Sequence, residues 1–230
     1  DGGGGLGTLG LVKDGNGTLT LAGNNTYSGG TTISNGTLQV GSGSSAGSLG
    51  TGAIENNATL AFDRTDAVTI DALISGSGIL TQAGTGTLTL TGNNTFAGGV
   101  NLDAGVLELG SLGAIGTTGT VDFDGGTLRY TADNNTDYSA RLTTASSTPF
   151  KIDTNGQDIS FANTLAGSSG SLTKLGAGTL TLSSATYSGA TTIDAGSLVL
   201  KSNTASVSSS GFSGAGTLVI EPTGQDFTST

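Results

Sequence analysis

Short alternating runs organise this chain. In Gly17-Thr18-Leu19-Thr20-Leu21 the leucines share one face and the threonines the other, the period-2 pattern of a half-buried strand. An Asn- and Gly-rich turn follows at Gly23-Asn24-Asn25, where left-handed backbone is tolerated. The next piece, Thr26 to Ile33, reads as extended and ends on Ile33. After Ser34-Asn35-Gly36 a new Gly-Thr-Leu begins. The whole string Gly17–Gly41 returns at Gly86–Gly110 and again at Gly178–Leu200, the last copy shortened by one residue before Tyr187.

Spacing turns these strands into an architecture. Thr18 to Thr37 is 19 residues, Thr87 to Val106 is 19, and Thr179 to Ser197 is 18. Further members of the series stand at Thr59-Leu60, Thr127-Leu128, Ser171-Leu172 and Thr217-Leu218. A rung of a parallel β-helix takes roughly 20 residues. The spacing therefore predicts an all-β solenoid of about 10–11 rungs, in which Leu19, Leu38 and Leu60 stack in one core and Thr faces outward. A Gly-containing lead-in precedes each copy, as in Gly78–Leu90 and Gly170–Leu182, and two strands meeting at a Gly-rich corner explain it. The stretch 110–165 repeats least and reads as drifted rungs, since Gly126 to Gly170 is 44 residues, about two turns. The domain expectation is a single segment over residues 1–230, with a Gly-rich linker at 1–5 and cut ends inside a longer protein.

Composition narrows the chemistry. Taken flat, 42 glycines in 230 residues and 34% hydrophobic content read as a disordered linker, and the alternation overrides that reading. Cys, His, Met and Trp are absent, which removes disulfides, Cys/His metal sites and every nucleophile–His arrangement. A chain without Cys also crosses an oxidising space with no stray disulfide to trap it. The net charge of −10 disfavours nucleic acid and anionic membrane, and no apolar run has membrane-spanning length.

The unit Gly-Thr-Leu-Thr-Leu-x-Gly-Asn-Asn-Thr-Tyr-Ser-Gly-Gly-Thr-Thr-Ile, carried by Gly17–Gly41, Gly86–Gly110 and Gly176–Leu200, resembles the autotransporter-associated β-strand repeat of Gram-negative type V secretion passengers. The third copy departs from it by losing the Asn-Asn pair, with Ala185 at the turn. The resemblance implies a right-handed parallel β-helix exported through the outer membrane to the bacterial cell surface or secreted. It implies a non-catalytic stalk or adhesin that meets host or sibling-cell surface molecules, with no cofactor, metal or membrane insertion of its own.

Candidate chemistry is sparse. Asp122 and Asp124 alternate outward from Val121 and Phe123, and Arg129 lies on the next run. Paired carboxylates with an Arg are the outer-wall signature of β-helical polysaccharide hydrolases and lyases, so that alternative stands beside a solvated acidic face. Asp133-Asn134-Asn135-Thr136-Asp137 opens like a calcium loop but lacks the central Gly and closing Glu, and reads as a polar loop. Asn-x-Ser/Thr sequons start at Asn16, Asn24, Asn35, Asn57, Asn93 and Asn134, where the repeat's own corners generate them. Tyr27, Phe96 and Tyr187 share one repeat position and read as core or corner packing rather than a sugar-stacking platform. Self-association through exposed strand edges, as a filament or coat, is the remaining alternative.

Overall fold

The computed structural model describes residues 8–144, 148–167, 169–202 and 209–222. The expected linker at Gly2–Gly5 lies outside them. The chain is all-β and parallel, a β-solenoid of about 10 turns, and it divides into two compact units, Asp1–Thr120 and Val121–Thr230.

In the first unit the strands in chain order are β1 (Leu11–Lys13), β2 (Thr18–Leu21), β3 (Thr31–Ile33), β4 (Thr37–Ser44), β5 (Ile54–Asn56), β6 (Thr59–Arg64), β7 (Ala67–Ile70), β8 (Ile74–Ser75), β9 (Ile79–Gln82), β10 (Thr87–Leu90), β11 (Val100–Leu102) and β12 (Val106–Leu109). They form three sheets, ordered β1-β3-β5-β8, β2-β4-β6-β9-β11 and β7-β10-β12. The expected stack is present: Leu19 lies beside Leu38, Leu38 beside Leu60, Leu60 beside Leu80 and Leu80 beside Val100. Leu38, Leu60, Leu80 and Val100 are all buried, while Leu19, on edge strand β2, keeps 37% of its surface.

The repeat and the coil are out of phase. In the first copy the lead-in strand is β1, on the first sheet, and Thr-Leu-Thr-Leu is β2, on the second. In the second copy the lead-in strand β9 pairs with β6 on the second sheet, and Thr-Leu-Thr-Leu, β10, pairs with β7 on the third. The same sequence thus serves one face further round. This is possible because every face makes one demand, an inward Leu at period 2 with Gly at the corners.

The second unit holds β13 (Val121–Phe123), β14 (Thr127–Arg129), a 3-10 turn Ser139–Arg141, β15 (Leu142–Thr144), β16 (Phe150–Asp153), β17 (Ile159–Phe161), β18 (Leu172–Leu175), β19 (Thr179–Leu182), β20 (Thr191–Ile193), β21 (Ser197–Ser202), β22 (Phe212–Ser213) and β23 (Thr217–Pro222). Within it the orders are β13-β15, β14-β16-β18-β20-β22 and β17-β19-β21-β23. Its core is more aromatic: Phe123, Tyr130, Phe150, Phe161 and Tyr187 are fully buried, and Phe123 meets Phe150 edge-on with centroids 5.5 Å apart.

Two local expectations are corrected. The extended piece Thr26–Ile33 is strand only over Thr31–Ile33, because Gly30 takes φ 90° and breaks the run. Nor does Thr always face out: Thr31 and Thr191, at the inward position two residues before Ile33 and Ile193, are buried.

Candidate functional site

What the solenoid offers a partner is its outward columns. On the second sheet of the first unit, Thr18, Thr37, Thr59 and Ile79 stand in register as one such column; beside it Thr20 and Gln39 continue into Ala61 and Thr81, which are buried. In the second unit Lys151, Thr173, Thr192 and Ser213 form one column, and Thr179, Ser197 and Thr217 another. Hydroxyls repeat at strand spacing along these columns. The Thr192 and Ser213 hydroxyls lie 3.3 Å apart.

The acidic candidates are placed as follows. Val121 and Phe123 are buried, Asp122 is half-buried on β13 and Asp124 is exposed just beyond it. Thr143 Oγ1 donates to Asp122 Oδ1 at 3.2 Å. Arg129 stands on β14, in a different sheet, and its Nε donates to Asp153 Oδ2 at 2.8 Å across to β16. The other oxygen of Asp153 accepts the backbone N–H of Asn155, so this carboxylate holds a corner together.

The loop that opens like a calcium site is occupied by its own bonds. Asn134 is fully buried, its Oδ1 accepts the Thr136 N–H and its Nδ2 donates to Tyr138 Oη at 2.9 Å. Asp137 accepts from Ser139 N and Ala162 N, both at 2.8 Å. Among the described residues no group of three or more acidic side chains is disposed to hold a metal ion. Of the sequon asparagines, 16, 24, 35, 57 and 93 are exposed at corners, and Asn134 is inside.

The aromatic repeat position is packing. Phe96 and Tyr187 are fully buried and Tyr27 is half-buried. Tyr27 and Tyr187 each hold the hydroxyl of a threonine four residues on, Thr31 and Thr191, at 2.8 Å. Where the aromatic is Phe96 the partner position is Val100, so the two hydroxyls appear or vanish together.

Sequence reasoning missed one set of residues. Lys13, Gln82 and Lys174 occupy the same place in the three lead-ins, and all three are buried in core columns. Lys174 sits between Ile152 and Ile193 in register, and its Nζ donates to the carbonyls of Leu175, Gly176 and Ala195 at 2.9, 2.7 and 3.1 Å. Lys13 Nζ does the same for Asp14, Gly15 and Asn35, and Gln82 Nε2 for Gly84 and Gly86. These side chains satisfy carbonyls that a tight glycine corner turns inward. Burial pulls the Lys174 pKa down to about 8, against a smaller upward pull from Asp153. The signal was present, since Leu11/Lys13, Leu80/Gln82 and Leu172/Lys174 are two apart and must share a face.

The third copy, lacking the Asn pair, shows what that pair does. Asn94 Oδ1 accepts the Ile74 N–H at 2.8 Å and its Nδ2 donates to the Ala114 carbonyl at 2.6 Å, joining rungs on either side. At Ala185 a parallel backbone bridge to Leu165 replaces this: Leu165 N donates to Ser184 O and Thr186 N to Leu165 O, both at 3.0 Å.

The family model of the passenger-associated-transport-repeat matches the chain at residues 11–40, 80–109 and 172–200. The chain is 40% identical over 140 residues to the Adhesin BmaC autotransporter of Brucella suis biovar 1 (strain 1330). That match covers 59% of this chain and 4% of the relative's length. No solved structure matches. The three matched segments coincide with the lead-in, the Gly corner, the Thr-Leu-Thr-Leu strand and the return strand that carry the geometry above. The chain therefore carries three copies of the passenger-associated-transport-repeat and is similar, over 140 residues, to part of an autotransporter adhesin.

Proposed function

We propose that this chain is a non-catalytic, adhesive part of an autotransporter passenger, meeting host or sibling-cell surface molecules through its outward columns. The carrying observation is the in-register repetition of short polar side chains, as in Thr18-Thr37-Thr59 and Thr173-Thr192-Ser213. Each hydroxyl contact is weak, and a column multiplies it by holding identical groups at a fixed rise. The relative's description as an adhesin supports the reading.

Beads coated with the purified chain test it. Coated beads should bind bacterial or epithelial cells, and free chain should compete. Thr37→Arg with Thr59→Arg should lower capture several-fold while the far-UV spectrum stays that of a β protein. Capture equal to albumin-coated beads counts against adhesion. Reducing-end release from a polysaccharide panel, abolished by Asp122→Asn, would establish the hydrolase or lyase instead.

A further inference from the structure

One edge of β7 is open within the first unit. β7 ends its sheet, pairing with β10 on one side. The carbonyls of Asp66 and Ile70 accept from Thr87 and Thr91 on that side. Successive residues of a strand turn their N–H and C=O to opposite edges, so Ala67, Thr69 and Asp71 turn theirs away from β10. The segment on that other side is a loop whose first half is held by Arg64, just before β7, which donates to the Ser45 and Gly47 carbonyls, while the bonds of its second half, Ser48–Thr51, run away from β7. Ser48 N–H donates to Gly23 O and Thr51 N–H to Tyr27 O, at 3.1 and 3.0 Å, while Asn25 Nδ2 donates to Ser48 O at 2.7 Å. Gly50 presses so close to Tyr27 that a Cβ there would strike its carbonyl and ring.

The loop is thus drawn onto Tyr27, and a cavity of about 220 Å³ opens between it and β7. Val40, Leu49, Ile54, Phe62 and Ile70 supply its apolar walls, and the exposed Asp71 stands at its rim. Three demands meet here. An unpaired strand edge takes extended backbone, an apolar cavity takes an apolar side chain, and a rim carboxylate takes a cation.

We infer that the β7 edge binds an extended peptide segment of a partner protein. One large apolar side chain of that segment enters the cavity between Leu49 and Phe62. Its backbone pairs with Thr69, and a lysine or arginine lies beside Asp71. This site uses residues outside the outward columns, so it stands or falls separately from column adhesion.

Fluorescence polarisation on the full 230-residue chain tests it, with labelled Lys-Thr-Phe-Thr-Lys as the probe. Saturable binding is expected, weakened about tenfold or more when the central Phe becomes Ala and when both lysines become Asp. Asp71→Lys, a change at an exposed position, should weaken the lysine-flanked probe by a similar factor. Leu49→Trp, which fills the cavity, should abolish binding. No saturation at millimolar chain, or equal affinity for the Phe and Ala probes, overturns the inference. So does an Asp71→Lys variant that binds as well as the parent. Bead capture of cells persisting through such a result would leave the adhesive reading intact.

Discussion

At the residue scale, the interior of this solenoid is specified as much by a few polar groups as by its leucines. The Tyr187–Thr191 pair joins two hydroxyls in a site where Tyr187 is fully buried and Thr191 also reaches Ser209. Thr191→Val leaves the Tyr187 hydroxyl in the core without that partner and should cost about 1–3 kcal/mol in urea unfolding. Adding Tyr187→Phe recreates the Phe96–Val100 combination and should recover most of the loss. Lys174 gives a pH prediction. Its pKa is about 8 in the fold, against an ordinary lysine value of 10.5. Between those values the unfolded chain binds more protons, so the penalty for burying the ammonium is full below pH 8 and is relieved as pH rises toward 10.5. The thermal midpoint of the parent should therefore gain on that of Lys174→Gln over this window. A difference that stays flat or falls would refute the assignment. Gln reaches two corner carbonyls at position 82, so Lys174→Gln should cost less at pH 7 than Lys174→Leu, which strands three.

At the scale of elements, the corner decides where one strand stops and the next begins. Gly36, Gly105 and Gly196 take φ of 69°, 55° and 68°, each against the carbonyl of a glycine one rung away. Gly196→Ala adds a Cβ at a left-handed position facing the Gly178 carbonyl and the Lys174 ammonium. It should cost about 2 kcal/mol or more by chemical denaturation, whereas Ala at exposed Gly17, whose surroundings are open, should change stability far less. These elements show how much could be read in advance. Alternation and Gly-Thr-Leu spacing predicted β2, β4 and β6 and their stacking, because period-2 burial and a repeated interval are one-dimensional facts. The inward Lys and the inward Thr of Thr-Thr-Ile were not read. Composition marks both as surface residues, and only the neighbouring carbonyls and the tyrosine hydroxyl explain their burial.

At the scale of the whole molecule, each unit is a ladder in which a strand gains stability from its immediate neighbours. In the first unit, edge strand β2 leaves the inward Leu19 at 37% exposure, while Leu60, Leu80 and Leu88 in the middle are covered. Amide exchange in the first unit should be slowest through β6, β9 and β10 and fastest through β1 and β2. Uniform protection along the unit would contradict nearest-neighbour stabilisation.

The sequence by itself determined the strand period, the corner glycines, the Leu ladder and the family resemblance, since each is a local rule repeated along the chain. Only the tertiary structure decided which face each copy occupies. It also decided that Arg129 on β14 joins Asp153 while Asp122 lies on β13, and that a loop drawn onto Tyr27 leaves β7 with an open edge. Those outcomes depend on which rung lies beside which, and rungs of nearly identical sequence do not encode their neighbours until they stack.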